Sequence, residues 1–225
     1  MEKGKLVRPA KELMEGFRQV PTSTVATVMD EMGIGSSGSI ISGLRPLLPG
    51  VRIAGAAFTI KAIAAERGTF ARADYPVGEV VELTEKDDIL VIDVGGAQVC
   101  TMGGLACFAM NLRGVAGLVV EGGVRDAEQI VKIGFPVYTR HVCATSGQTR
   151  VKWLAINVPI EIGSVRVCPG DIVIADDTSV AAVPVDKAEE ILSRSQHHEE
   201  LESRFEKELQ KGKSFLEATR KVGSL

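Results

Sequence analysis

Arg125 and Asp126 stand together in EGGVRDAEQI (121–130), where the apolar run GVAGLVV (114–120) gives way to helical spacing. A guanidinium holds a carboxylate through two parallel N–H bonds, and an aspartate is a hard oxygen ligand for a divalent cation. A strand end followed by a helix start suits both roles, because ligands of α/β sheets sit outside the carboxyl ends of strands, near unpaired helix N–H groups. The loop GGAQVCTMGGLA (95–106) follows the preceding strand, so Gly103 and Gly104 should reach the same edge and let backbone amides approach a ligand. One carboxylate, with water and substrate in the other positions, is how Mg²⁺ is usually held. The same pair also has a local reading, in which Asp126 caps the following helix and pairs with Arg125.

Other candidates are weaker. Lys61 in FTIKAIAA (58–65) could form a Schiff base if buried with a lowered pKa, or lead its ammonium to the sheet edge. No acid–base partner for it can be named. Residues 33–38, GIGSSG, match G-x-G-x-x-G, but a helix precedes them and a Ser/Gly loop follows, the reverse of the dinucleotide fingerprint. Cys100, Cys107, Cys143 and Cys168 form no C-x-x-C pair and read as buried thiols, with Cys107 the one near the candidate loop. His141 is isolated, and His197 and His198 lie in a charged run, so neither a histidine triad nor a zinc site is expected.

These residues need a sheet to position them. With 225 residues, 45% hydrophobic and 24% charged, the chain suits one α/β domain over 1–225. Helices are expected over 10–20 and over TVATVMDEM (24–32), the second capped by Thr22, Ser23 or Thr24 and ending at Gly33, then a Gly/Ser/Pro loop to residue 50. VRIAGAAFTIKAIAA (51–65) reads as a strand and DILVIDV (88–94) as a central one. LACFAMNLRG, GLVVEGG, RDAEQIVKIG and FPVYTR then alternate helix, strand, helix, strand, the pattern of a parallel sheet with crossover helices. Residues 153–185 read as antiparallel hairpins, and DKAEEILSRSQHHEELESRFEKELQKG as a long charged helix followed by a short one.

The formal net charge is −3 with signs interspersed, which argues against nucleic acid or an anionic membrane as partner. No apolar run approaches a membrane span, and MEKGKLVRPAKEL lacks the apolar core of a signal peptide, so a cytoplasmic protein is expected.

The spacing Gly104, twenty residues, then Arg125-Asp126 resembles the RraA-like family, which includes class II 4-hydroxy-4-methyl-2-oxoglutarate / 4-carboxy-4-hydroxy-2-oxoadipate aldolases. STVATVMDEMG, FPVYTR, PGDIVIADD and VAAVP are also similar to the family, over roughly residues 20–215. The resemblance implies a swivelling β/β/α-type fold with a mixed sheet, assembled as a homotrimer or dimer of trimers with sites at subunit clefts. It implies Mg²⁺ or Mn²⁺ on Asp126, mostly through water, and a pyruvate carboxylate held by Arg125 and the amides of Gly104, Leu105 and Ala106. Cleavage of a C–C bond beside that pyruvate unit would leave its electrons as an enolate, in an aldolase or an oxaloacetate decarboxylase acting on a small 2-oxo acid. A neighbouring subunit's C-terminal helix would bring Glu199, Glu200 or Glu202 to the metal shell. The chain departs from the aldolase pattern at Gly104, where committed aldolases carry an aspartate, and at Gln129, where glycine-type members tend to carry an acid. The other function the resemblance implies is non-catalytic, that of a protein-binding regulator like the ribonuclease E inhibitor members.

Overall fold

The computed structural model describes residues 1–34 and 39–223; the expected Ser/Gly loop over 35–38 lies outside them. The first half comprises β1 (Glu2–Lys3), α1 (Lys11–Arg18), α2 (Thr22–Glu31), β2 (Ile40–Ile41), β3 (Arg45–Pro46), β4 (Ile53–Ala64), α3 (Val77–Leu83), β5 (Asp88–Asp93), β6 (Cys100–Met102) and α4 (Gly104–Leu112). The second comprises β7 (Gly117–Val124), α5 (Ala127–Ile133), β8 (Val137–Val142), β9 (Val151–Ile156), β10 (Ile160–Ile162), β11 (Val165–Val167), β12 (Ile172–Ala175), β13 (Val180–Val183), α6 (Ala188–Gln210) and α7 (Phe215–Val222). The architecture is mixed α/β with a long C-terminal helix, as expected.

Among the described residues eleven strands form one sheet, whose main path runs β2-β13-β12-β4-β5-β7-β8-β3. β4, β5, β7 and β8 are parallel neighbours, with Lys61, Asp93 and Glu121 in register across the first three. β12 and β13 form the expected antiparallel hairpin and β10 and β11 another, while β9 returns antiparallel along β4.

Side chains alternate across the sheet, and both faces are covered, which is why β5 and β7 read as continuous apolar runs. Leu90, Ile92, Leu118 and Val120 point towards α3, α4 and α5, whereas Ile89, Val91 and Val119 point towards the β10–β11 hairpin. A third core places Phe17, Val25, Val28 and Ile191 of α1, α2 and α6 on β12 and β13. Each fully buried aliphatic side chain contributes about 1.5–3 kcal/mol, so the strand ends that carry the site stand on a stiff base.

Two local expectations need correction. Pro21 is the N-cap of α2, and the cap is tertiary: Asp176, in the turn between β12 and β13, accepts the Thr22 N–H at 2.9 Å and the Thr22 hydroxyl at 2.6 Å. The segment 95–104, read as pure loop, contains β6, which pairs with β7 through Cys100↔Gly123 and Met102↔Val124. Three residues are too few to carry a periodic signal. Among the described residues no helix is long and apolar enough to cross a membrane.

Candidate functional site

The ends of β6 and β7 are tied together by the Arg125 N–H, which donates to the Met102 carbonyl at 3.2 Å. Asp126 then takes a left-handed conformation, φ 61° and ψ 39°, before α5 begins. For a residue with a Cβ this costs about 1–2 kcal/mol, though aspartate tolerates it better than most. The turn carries the carboxylate away from α5, none of whose N–H groups it caps. Asp126 Oδ2 instead accepts the Gly104 N–H at 3.1 Å and lies 3.4 Å from Arg125 Nε. The expected pairing with Arg125 is present; the expected cap on α5 is not made, and the carboxylate caps the neighbouring helix α4 instead.

Gly103 makes this close approach possible. A Cβ there would stand 2.9 Å from Asp126 Oδ2 and 3.0 Å from Arg125 Nε. In the first turn of α4 the Gly104 N–H is taken by Asp126 and the Cys107 N–H by the Gly103 carbonyl. The N–H groups of Leu105 and Ala106 keep no protein partner among the described residues, so they are the two amides free for an anion.

Arg125 and Asp126 form a partition between two hollows. One, of about 440 Å³, is floored by Cys100 and Thr101 of β6 and closed by Tyr75 and Val77 on one side and residues 146–148 on another. The other, of about 420 Å³, is walled by Val142, Cys143 and Ala144. The Tyr75 hydroxyl donates to the Thr101 carbonyl and its ring meets Trp153 edge-on, with centroids 5.2 Å apart. Burial raises its pKa, so it stays a neutral wall. The 146–148 segment lies tight on β6: a Cβ on Gly147 would run into the Cys100 carbonyl and stand 3.0 Å from Tyr75 Cζ.

The residue pattern brought Gly103, Arg125 and Asp126 to this place, and the family resemblance Leu105 and Ala106; all five line the first hollow, whereas Gly104, expected to offer its amide there, does not line it and gives its N–H to Asp126. Sequence reasoning missed Tyr75, Thr101 and residues 146–148, which no local pattern marks. The cysteines are redistributed: Cys107 is buried in the core, while Cys100 and Cys143 reach the hollows, because β6 and the end of β8 flank β7. Burial pushes the Cys100 thiol up to about 11 and the Cys107 thiol up to about 12, which keeps both as neutral thiols, Cys100 in the lining of the first hollow and Cys107 in the core. Lys61 is exposed, as expected of a snorkelling lysine, and His141 Nε2 lies 3.1 Å from the Gly96 carbonyl. Within its own chain Glu199 accepts the Thr24 hydroxyl at 2.5 Å, and Glu200 and Glu202 are exposed on α6; none lines either hollow.

Among the described residues no three His, Cys, Asp or Glu side chains converge on a metal position. Asp126 is the one carboxylate among the described residues that line the hollows: its side chain is 42% exposed, and Oδ1 has no protein partner among those residues. A single open carboxylate fits a hard divalent ion that keeps most of its waters.

A hollow at the carboxyl ends of parallel strands, bounded by an arginine, an aspartate and a helix start, lies where α/β proteins commonly place their ligand sites. Within that class the chain belongs to the RraA-like family: residues 25–181 match the family described as Aldolase/RraA. It is 31% identical over 185 residues to Protein DlpA of Legionella pneumophila, covering 81% of this chain and 29% of that protein. It is 31% identical over 111 residues to the 4-hydroxy-4-methyl-2-oxoglutarate aldolase of Thermus thermophilus, covering 48% of this chain and 66% of that protein. The chain therefore spans less than two thirds of the length of either. Among solved structures, Streptomyces coelicolor RraAS2, described as an unusual member of the RNase ES inhibitor RraA protein family, superposes with a TM-score of 0.79 at 30% identity, over 88% of this chain and 98% of that one.

Proposed function

We propose that this chain is a divalent-metal-dependent lyase that breaks the C–C bond next to a pyruvate unit, as a 4-hydroxy-2-oxo acid aldolase, an oxaloacetate decarboxylase or both. The observation that carries the reading is the Asp126 turn: a strained residue directs its carboxylate into a hollow beside an arginine instead of capping its own helix. Arg125 and the amides of Leu105 and Ala106 hold the pyruvate carboxylate, and Asp126 is the residue that would hold Mg²⁺ or Mn²⁺. A bound divalent ion supplies electrophilic polarisation of the 2-keto oxygen. The Tyr75 ring and residues 146–148 shelter the reacting carbons from bulk water. Among the described residues no carboxylate or imidazole other than Asp126 lines the hollow, so water carries the proton that an aldol cleavage must remove, whereas decarboxylation needs no base to begin. The working form is a homotrimer or a dimer of trimers, with Glu199, Glu200 or Glu202 of a neighbouring chain close to the metal shell.

Pyruvate release from oxaloacetate and from 4-hydroxy-2-oxo acids, with and without Mg²⁺ or Mn²⁺, tests this. Release is expected only with metal and is expected to be lost in Asp126→Ala and Arg125→Ala; unchanged rates in both variants would overturn the assignment. A protein-binding role is the second reading, favoured by the likeness to RraAS2 and by Leu105, Phe108 and Leu112 exposed along the outer face of α4.

A further inference from the structure

We propose that Tyr75 is a positioning residue, whose hydroxyl locks a slipped register of β6 on β7 and through it sets the Arg125–Asp126 turn against the start of α4. Parallel strands exchange evenly spaced hydrogen bonds, so donors two residues apart on one strand meet carbonyls two residues apart on the other. The junction of β6 and β7 breaks that rule. The Gly123 N–H donates to the Val99 carbonyl at 3.1 Å, yet the Arg125 N–H, two residues on, reaches past Thr101 to the Met102 carbonyl at 3.2 Å. The pairing shifts between Cys100 and Met102, which takes from the Thr101 carbonyl the donor that a regular ladder would give it.

Tyr75 supplies a donor in its place. Its hydroxyl donates to the Thr101 carbonyl and lies 3.3 Å from the Cys100 carbonyl. Both residues are buried, so a carbonyl released there stays unpaired unless the ladder itself moves. The phenol is held from β9: its ring meets Trp153 edge-on, and the carboxylate of the adjacent Asp74 lies 3.4 Å from Lys152 Nζ. β6 is three residues long and pairs with β7 alone among the described strands, so it has little else to fix its register.

The slip builds the site. With the Arg125 N–H on Met102, Asp126 stands level with the glycines that follow β6, and its Oδ2 receives the Gly104 N–H at 3.1 Å. A return to the regular register would place the Arg125 N–H on Thr101 and carry Asp126 back along β6, away from Gly104 and from the amides of Leu105 and Ala106. All of these contacts lie within one chain, so they hold whatever a neighbouring subunit adds to the cleft. The register lock stands on geometry alone; its effect on turnover rests on the lyase reading.

The chain has two tyrosines, and the other provides the control: the Tyr138 hydroxyl donates to the Val51 carbonyl at 2.7 Å and lines neither hollow. Tyr75→Phe and Tyr138→Phe, made in the full chain, each delete one hydroxyl and keep the ring. Without ligand, amide hydrogen exchange over residues 100–106 and at Arg125 is expected to be about ten-fold or more faster in Tyr75→Phe and unchanged in Tyr138→Phe. In pyruvate release from oxaloacetate with Mg²⁺, Tyr75→Phe should raise KM by about ten-fold, because Arg125 and the two amides hold the carboxylate, whereas Tyr138→Phe should keep the parent KM. Exchange that is unchanged in Tyr75→Phe, or equally fast in Tyr138→Phe, overturns the proposal. So does a fall in kcat at unchanged KM, which is the mark of a smaller folded fraction. If the parent chain releases no pyruvate and the exchange difference is found, the register lock stands and the lyase reading falls.

Discussion

The Asp126 carboxylate caps the start of α4 through the Gly104 N–H at 3.1 Å, although Asp126 itself is the residue from which α5 begins. One side chain thus joins two crossover helices at the sheet edge while keeping Oδ1 open. Asp126→Asn preserves the shape, and asparagine accepts the left-handed backbone. The half-exposed Arg125 pair contributes little, so chemical denaturation should show a change of no more than about 1 kcal/mol. Metal-dependent pyruvate release should fall by about 100-fold or more, because the lost charge is the proposed metal ligand.

Gly103→Ala should push Arg125 and Asp126 apart while leaving both residues in the sequence, since the new Cβ falls 2.9 Å from Oδ2 and 3.0 Å from Nε. Both neighbours are fixed by the β6–β7 ends, so the guanidinium has to move. Turnover is expected to drop by about 10- to 100-fold while the melting temperature moves by a few degrees at most; steady-state kinetics beside calorimetry checks this.

Residues 104 and 129 share one volume. A Cβ on Gly104 would collide with the Gln129 amide oxygen and stand 3.1 Å from Gln129 Cγ. Gln129 is exposed and flexible, so Gly104→Ala should cost under about 1 kcal/mol, offset by the better helix propensity of alanine. In a double-mutant cycle of Gly104→Asp with Gln129→Ala, urea unfolding should reveal a coupling of about 0.5 kcal/mol or more.

Arg8 grips a fully buried carboxylate, with Nε and Nη2 each 2.8 Å from the two oxygens of Asp88. The Glu85 N–H adds a third bond to Asp88 at 2.8 Å. Arg8→Ala leaves that charge without its partner and should lower unfolding stability by about 3 kcal/mol or more, read from the denaturation midpoint. Arg8→Lys, which lacks the planar fork, should restore only part of it.

Burial pushes the Asp176 carboxyl up, but hydrogen bonds from Thr22, Thr178 and Ser179 outweigh it and hold the group below its ordinary 3.8. A lowered folded-state pKa adds stability above 3.8 that is lost as pH falls through the folded value. Asp171, raised by burial, acts in the opposite sense and is relieved on protonation. Asp176→Asn should therefore be less stable than the parent near neutrality and show a flatter decline between about pH 5 and pH 2 in urea titrations.

Much of the scaffold was legible from local pattern. The apolar runs of β4, β5, β7 and β8, and the helices between them, follow from side-chain periodicity and from strands buried on both faces. The spacing from Gly104 to Arg125-Asp126 was equally plain, because it spans one helix and one strand of predictable length. The far walls of the hollow were not legible. Tyr75 and residues 146–148 meet β6 only after the sheet has closed, and β6 is three residues long.

The sequence by itself determined that Arg125 and Asp126 follow a buried strand and precede a helix, since that depends on neighbours a few residues apart. Which helix the Asp126 carboxylate serves, that Asp176 caps α2 across 154 residues, and that Gln129 fills the space above Gly104 were decided by tertiary structure. Such contacts are set by strand register and backbone turn geometry, and their energies reside in pairs that no local period encodes.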